Sequence, residues 1–423
     1  MAVNPFANMD GSLESEVRKF TLIFVIACTI IYSAFRISGI PSEVGTLYYG
    51  YADAMLDGRM PYSGFPAEYP PFAMLLILIP GLFSFSSFSY QIAFGVMVYL
   101  FLLAGLVCVH RIAETYSERP SVYSDVYIVL CVCILELILD RYDIFPVIMC
   151  LAALYFIRMD RMNLAWVMIA LGTITKLYPA LMAPVLLMYL CRRGRYRDAL
   201  KGIGICLVIG CSSMLPFLIA DPGTMFMFLT YHMDRGMQVE SLVSSALMLL
   251  GDLNIIDIGY VFDHGSDNIY GAVPDAVAGC MLYLMAATLL ITYVAYWHIS
   301  EKISEEYSYQ VLTAVCLAAV MIFMLVNKVL SSQYIIWMIP FITVLAMSMK
   351  PAWKRMSICA FVVSIALTQI NLIVNYAMRG AGEPLSTFGI SVVLIRNLLL
   401  STMLVLLFRA VLRPGDVFSD GEI

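Results

Sequence analysis

Arg192-Arg193-Gly194-Arg195-Tyr196-Arg197-Asp198-Ala199-Leu200-Lys201 runs directly into an apolar stretch, 202–220, that carries no charge. A basic cluster beside a bilayer-length apolar run marks the cytoplasmic end of a membrane helix. The rest of the chain repeats that pattern. Of 423 residues, 61% are hydrophobic and 13% charged, and the mean hydropathy is +0.87. Soluble domains carry roughly 45–50% apolar and about 25% charged residues. A chain this long with half the usual charge cannot cover its own surface in water. A soluble enzyme, a disordered chain and a nucleic-acid binder are therefore excluded. The net charge of −5 gives no sign of a polybasic tether. What remains is an all-α polytopic membrane protein, because a helix satisfies its own backbone in lipid. The whole chain, 1–423, reads as one integral-membrane domain.

Working outward, apolar segments fall at 20–40, 88–110, 122–139, 144–157, 163–174, 180–191, 202–220, 276–297, 310–327, 335–349, 357–377 and 387–409. That predicts about twelve transmembrane helices, a cytoplasmic N-terminus over 1–19, and a cytoplasmic tail over 410–423. Arg18-Lys19 before the first span reads as a signal anchor. The short segments between 144 and 191 read as half-buried helices around a cavity. With this parity most of the 25 Lys and Arg lie on the cytoplasmic side. Counting 72–83 as a full span would move Arg192–Arg197 outside, so 72–83 reads as a re-entrant or interfacial helix. The eleven cysteines sit in or beside apolar runs and read as small buried hydrophobes. No internal repeat supports an inverted-repeat transporter.

The outer connections are the long ones: the first outer loop 41–87, a second large loop 221–275, and 378–386. Chemistry needs loops held by a rigid scaffold. The first loop carries Glu43, Asp53 and Glu68 among Tyr48, Tyr51, Tyr62 and Tyr69, with an amphipathic interfacial helix expected over 46–57. Tyrosines are ordinary at headgroup depth; three carboxylates are not. Further stations follow where spans meet the outer face: Arg141-Tyr142-Asp143, Lys176-Leu177-Tyr178-Pro179, Tyr231 and His232 with Asp234-Arg235, Gln238 and Glu240, and Lys328 with Ser331-Ser332-Gln333-Tyr334. A single cation at a span end is commonly a snorkelling side chain. A set of them with carboxylates, on the face otherwise poor in basic residues, suits an anionic lipid-linked substrate. The cations hold a phosphate and a carboxylate acts as base. Asp140 and Asp143 either bind acceptor hydroxyls or pair with Arg141. Glu136 and Arg396 lie inside spans, where charge is costly; a transporter reading would rest on them. Asp252, Asp257, Asp263 and Asp267 do not match an EF-hand spacing and read as a solvated loop. No clear metal ligand set is present, although a divalent metal stays open.

Pro61-Tyr62…Phe65…Glu68-Tyr69-Pro70-Pro71, Lys176-Leu177-Tyr178-Pro179, Arg235-Gly236-Met237-Gln238-Val239-Glu240-Ser241 and Lys328…Ser332-Gln333-Tyr334-Ile335-Ile336-Trp337 resemble signatures of the multi-pass GT-C glycosyltransferases that use polyprenyl-phosphate sugars. Glycosyltransferase family 87, the polyprenol-phosphate-mannose-dependent mannosyltransferases, is the family these residues match. The last motif is also similar to the lysine–Ser-Gln-Tyr–Trp pattern of the GPI mannosyltransferase I group. The resemblance implies a GT-C-like fold. It also implies transfer of a sugar, most commonly mannose, from a polyprenyl-phosphate donor to a hydroxyl of a lipid-linked or glycan acceptor, with inversion, at the extracytoplasmic face. Glu43 stands where the family usually has Asp and takes the role of general base, with Glu68 and Asp53 as fallbacks. Lys176, Arg235 and Lys328 are the donor-phosphate candidates, with Tyr178, His232, Gln333 and Tyr334 as hydrogen-bond partners. Asp143, Arg141, Tyr62, Tyr69 and Glu240 are assigned to the acceptor or sugar. The expected partners are donor, acceptor and membrane lipids, in a plasma membrane or, alternatively, the endoplasmic reticulum with a luminal site. The competing readings are a twelve-span secondary transporter and a lipid-linked-sugar flippase.

Overall fold

The computed structural model describes residues 11–38, 42–377 and 380–419. It opens with α1 (Gly11–Ser38). A π-turn over Val44–Tyr48 then leads into α2 (Tyr49–Leu56), and Gly58 at φ 83° ends that turn of chain as an L side chain rarely could. Pro71 at the first helical position starts α3 (Pro71–Gly81), where its missing N–H costs nothing. At eleven residues α3 is too short to cross a bilayer that needs about 20. A reciprocal Ser86/Ser89 capping box begins α4 (Ser87–Ala113). The expected continuous span 122–139 is instead two helices, α5 (Ser121–Val132) and α6 (Leu135–Asp140), broken at Ile134 with φ −135° and ψ 23°.

Next come α7 (Ile144–Arg158), α8 (Met162–Thr175), α9 (Met182–Arg192) and α10 (Tyr196–Ala220). The second outer loop contributes α11 (Met227–Asp234) and α12 (Leu242–Asp252). After it run α13 (Ala272–Ser300), α14 (Ser308–Leu325), a 3-10 helix over Ser332–Met338, α15 (Ile339–Ser348), α16 (Pro351–Leu372) and α17 (Thr387–Leu412). Among the described residues six helices are long and apolar enough to cross a membrane: α4, α10, α13, α14, α16 and α17. Seven shorter apolar helices accompany them. Twelve full-length spans are thus not what the described residues display.

α7 packs between α4 and α8, and α8 lies against α10. Gly202 makes the last contact possible, since a Cβ there would overlap the Trp166 indole. Apart from Ser308 and Phe323, every residue of α14 is buried; it is the axis on which α13, α15 and α17 pack. The far side of α10 exposes Leu200, Leu207, Val208, Leu215 and Ile219, the surface expected of a helix facing lipid. The basic turn between α9 and α10 is a clamp. Arg192 lies 3.9 Å from the Trp297 ring centre, and Arg193 Nη2 donates to Ser308 Oγ at 2.5 Å. Only Cys131, Cys150 and Cys316 of the eleven free cysteines are buried; the rest lie nearer the surface of apolar helices. The tail folds back rather than hanging free: Lys350 N–H donates to the Val417 carbonyl at 2.9 Å.

The loop 252–267, expected to be solvated, is partly built. Gly259–Asp263 and Ser266–Tyr270 form a hairpin, and Met237–Gln238 adds a third antiparallel strand beside the second. His264 and Gly265 both have positive φ, 49° and 66°, as a two-residue turn matched to strand twist demands. Asp267 is buried and accepts from Gly382 N–H at 2.6 Å, and Asp252 accepts from Thr387 Oγ1 at 2.8 Å. These two aspartates tie the loop to the first residue of α17 and the segment before it.

Candidate active site

The helix ends opposite the Arg192–Arg197 cluster bring together chemistry from distant parts of the chain. Asp143 is the N-cap of α7 and Lys176 the C-cap of α8, so two packed helices set them side by side. A carboxylate is favoured at a helix N-terminus. Asp143 is 1% exposed, and its Oδ1 accepts from Lys176 Nζ at 2.7 Å and from Trp337 Nε1 at 2.6 Å. Its Oδ2 is buried without a hydrogen-bond partner among the described residues. Lys176 Nζ also lies over the rings of Tyr142, Tyr334 and Trp337, at 4.8, 5.4 and 5.2 Å. A cation held against aromatic faces is stabilised where water is scarce. Even so, burial pulls the Lys176 ammonium below its ordinary range, against the pull of Asp143. Trp337 is fixed by stacking between Tyr178, at 4.1 Å, and Tyr334, at 3.9 Å.

Beside this node Arg141 Nη1 is ion-paired with Glu43 Oε2 and lies 3.2 Å from Asp140 Oδ2. Ser42 donates to Asp140, which anchors the start of the first outer loop on α6. Glu43 sits in a recess crowded by protein but open at its edge, with its side chain 37% exposed. Burial pushes its carboxyl up to about 7; Arg141 opposes that rise, and the charges of Asp140, Glu68 and Asp143 add to it. Tyr142 and Tyr69, 4.6 Å apart, and Tyr48 form the aromatic wall between Glu43 and Lys176. The charges of both Glu43 and Arg141 reach Lys176.

A third group completes the face. The Tyr231 hydroxyl hydrogen-bonds Glu68 and feels the charge of Arg235. Arg235 Nη2 donates to Ser266 Oγ at 2.9 Å, while its Nε is buried without a partner among the described residues. Tyr334 feels both Arg235 and Asp143, which joins this group to the Lys176 node. Lys328 Nζ donates to the Met233 carbonyl at 2.7 Å, and its own carbonyl accepts from Gln238 N–H at 2.9 Å. Gln333 is half-buried on the 3-10 helix that carries Tyr334 and Trp337.

Several residues chosen from the sequence are placed elsewhere or serve as framework. Asp53 is exposed on α2, a helix whose carboxyl-bearing side faces away from the buried Ala52 and Ala54. Tyr62 is buried at φ 71° and donates to the Tyr69 carbonyl at 2.6 Å, so it shapes the loop rather than facing a sugar. Tyr178 is buried, stacked on Trp337, and takes a weak contact from Cys150 Sγ at 3.9 Å; it braces the site instead of offering its hydroxyl. Glu240 is 2% exposed and paired with Arg396 at 2.8 Å, inside the protein and not in a loop open to acceptor. Glu136 accepts from Gln369. The two intra-span charges therefore each have a local partner. The side chain of His232 lies outside the described residues.

Sequence reasoning quotes Trp337, Tyr142 and Tyr231 within its motifs but gives none of them a role at the site. Trp337 was in hand as the end of the Lys328–Trp337 motif; its partner, Asp143, is far away in sequence and invisible there. Among the described residues no group of three or more His, Cys, Asp or Glu is placed to hold a metal ion.

Long apolar helices wrapped around a buried core, with carboxylates and cations collected at one end, define a polytopic membrane protein. The family model for Glycosyltransferase family 87 matches residues 68–326, more than half of the chain, and that for Mannosyltransferase (PIG-M) matches residues 267–410. The chain belongs to glycosyltransferase family 87 and is a membrane glycosyltransferase. Glu43 lies before the first matched segment; Arg141, Asp143, Lys176 and Arg235 lie within it. No curated protein matches the chain. Among solved structures it is similar to ArnT from Cupriavidus metallidurans bound to undecaprenyl phosphate, with 15% identity over 92% of this chain and 78% of that one and a TM-score of 0.49. It is also similar to the Archaeoglobus fulgidus oligosaccharyltransferase in its apo form, with 14% identity over 96% of this chain and 56% of that one and a TM-score of 0.41.

Proposed function

We propose that this glycosyltransferase moves mannose from a polyprenyl monophosphate to a hydroxyl of a lipid-linked or glycan acceptor at the extracytoplasmic face, with inversion. Glu43 takes the acceptor proton. The acceptor oxygen bonds to the anomeric carbon as the bond from that carbon to the phosphate oxygen breaks, and the electron pair leaves on the polyprenyl phosphate. A phosphate is already a good leaving group and calls for cations more than for a general acid, unlike the two-carboxylate arrangement of glycosidases. Lys176, Arg235 and Lys328 supply that positive charge, preorganised where water is scarce. Glu68 is an acceptor for sugar or acceptor hydroxyls, and the buried Asp143 orients Lys176.

The arrangement that carries this reading is Glu43, ion-paired with Arg141 and open at its edge, within electrostatic reach of the Lys176–Asp143 pair, with burial raising its carboxyl to about 7. A general base works best with a pKa near the operating pH. Mannose is supported by the match to the PIG-M mannosyltransferase model, and a polyprenyl phosphate by the resemblance of the quoted motifs to enzymes that use such donors. The test is turnover by purified protein of a panel of polyprenyl-phosphate, polyprenyl-diphosphate and nucleotide sugars, with a membrane extract as acceptor source. Transfer of mannose with release of polyprenyl phosphate is expected; transfer of another sugar, or release only from diphosphate or nucleotide donors, would overturn it.

A further inference from the structure

Arg396 stands in the middle of α17 and is 1% exposed. Every nitrogen of its guanidinium is used. Nη1 donates to Glu240 Oε2 at 2.8 Å, Nη2 to the Glu240 carbonyl at 3.0 Å, and Nε to Asn397 Oδ1 at 3.2 Å. The same Glu240 Oε2 accepts from Ser332 Oγ at 2.7 Å and from Asn371 Nδ2 at 3.0 Å. A charge buried this deep persists only where its surroundings repay the desolvation, and replacing such a pair by apolar side chains is often no less stable. Stability alone is therefore a poor account of it.

The partners show where the pair acts. Ser332 is the first residue of the 3-10 helix that carries Gln333, Tyr334 and Trp337. Two residues before Glu240, Gln238 accepts from Ser331 Oγ at 3.1 Å and binds the Lys328 carbonyl through its own N–H. Glu240 thus holds the segment 328–337 from the inside, and Arg396 holds Glu240. On the outer side of that segment Trp337 donates to Asp143 and shares with Tyr334 the cage over Lys176.

We infer that Arg396, through Glu240 and Ser332, is a positioning residue that fixes the Lys328–Trp337 segment and with it the cations of the donor-phosphate site. The inference rests on the donor reading proposed above. α17, which contributes no group to the site, sets its geometry through one buried carboxylate.

The experiment uses the full chain in lipid nanodiscs, with undecaprenyl phosphate as probe. Two readouts are taken: equilibrium binding, and the emission of Trp337 obtained as the difference between each protein and its Trp337→Phe counterpart. Ser332→Ala removes the hydrogen bond to Glu240 and the one that Ser332 Oγ accepts from Asn371 Nδ2 at 3.1 Å, and leaves the ion pair intact. It is expected to weaken binding roughly tenfold and shift Trp337 emission, with a modest fall in the thermal midpoint of a chain that still folds. Arg396→Met is expected to weaken binding further, and Arg396→Lys to recover only part, since an ammonium lacks the planar fork that meets both acceptors. If Arg396→Met does not fold, Ser332→Ala decides alone. Unaltered binding and emission in Ser332→Ala would overturn the inference. If the wild-type protein does not bind the lipid phosphate, the donor reading fails, and the Trp337 signal still reports whether the positioning holds.

Discussion

Arg141 at the end of α6 is ion-paired with Glu43 at the entrance to the first outer loop. One guanidinium thereby orients the proposed base and moderates its proton affinity. Without Arg141 the recess around Glu43 would favour the neutral acid more strongly still.

A pH profile follows from that pairing. With a carboxyl raised to about 7, the base is protonated at acid pH, so kcat/KM should rise as pH increases toward 7 and level off above it. Arg141→Gln removes the charge that lowers this value and should move the rising limb to higher pH. Glu43→Gln should abolish the limb together with roughly 10²–10⁴-fold of rate, while donor binding persists. A flat profile, or a limb unmoved by Arg141→Gln, would remove Glu43 as the base. The same shift has a stability consequence of fixed sign. Between the ordinary carboxylate range and about 7 the folded chain keeps a proton that the unfolded chain releases, so this contribution fades as pH rises through that window.

Lys176 and Asp143 form a buried pair in which each partner's removal strands the other. Lys176→Met should lower the thermal midpoint and eliminate donor binding. Adding Asp143→Asn to it should restore most of the stability, because no unpaired charge is left inside, without restoring turnover. A double variant as unstable as Lys176→Met would show that the pair is held for reasons other than charge.

Trp337→Phe keeps a ring between Tyr178 and Tyr334 and loses the N–H that reaches Asp143. The lost bond goes to a charged acceptor and is worth about 1.5–3 kcal/mol. Expression should stay normal while kcat/KM falls at least tenfold. Turnover equal to wild type would mean that Lys176 alone orients Asp143.

Arg235→Ala and Lys328→Ala should each weaken binding of the polyprenyl phosphate more than they slow bound substrate, seen as a rise in KM larger than the fall in kcat. Normal binding by both variants would leave Lys176 without companions in the phosphate role.

Gly202→Ala probes the frame instead of the site. The added methyl meets the Trp166 indole, and overpacking of this kind costs roughly 1–3 kcal/mol. A lower thermal midpoint with unchanged pH dependence of turnover is expected; no change in the midpoint would mean that α10 sits loosely on α8.

Some of this was readable from residue order. Charge parity marks 72–83 as a helix that does not span, Arg192–Lys201 marks the basic end, and the stations at 141–143, 176–178, 235–240 and 328–334 are recognisable as places where charge meets the end of an apolar run. The break at Ile134, the hairpin 259–270 and the burial of Glu240 were not. Each depends on what a segment packs against, and apolar composition in a membrane chain is the same for a helix facing lipid and one facing another helix.

Composition and the spacing of apolar and basic runs determined the class of this protein, because a chain with so little charge has no alternative to lipid and a helix is the means by which its backbone enters it. Tertiary structure alone decided that Glu43 meets Arg141, that Asp143 gathers Lys176 and Trp337, and that Arg396 holds Glu240. Those partners lie far apart along the chain, and only the close packing of helix ends brings their charges near enough to act on one another.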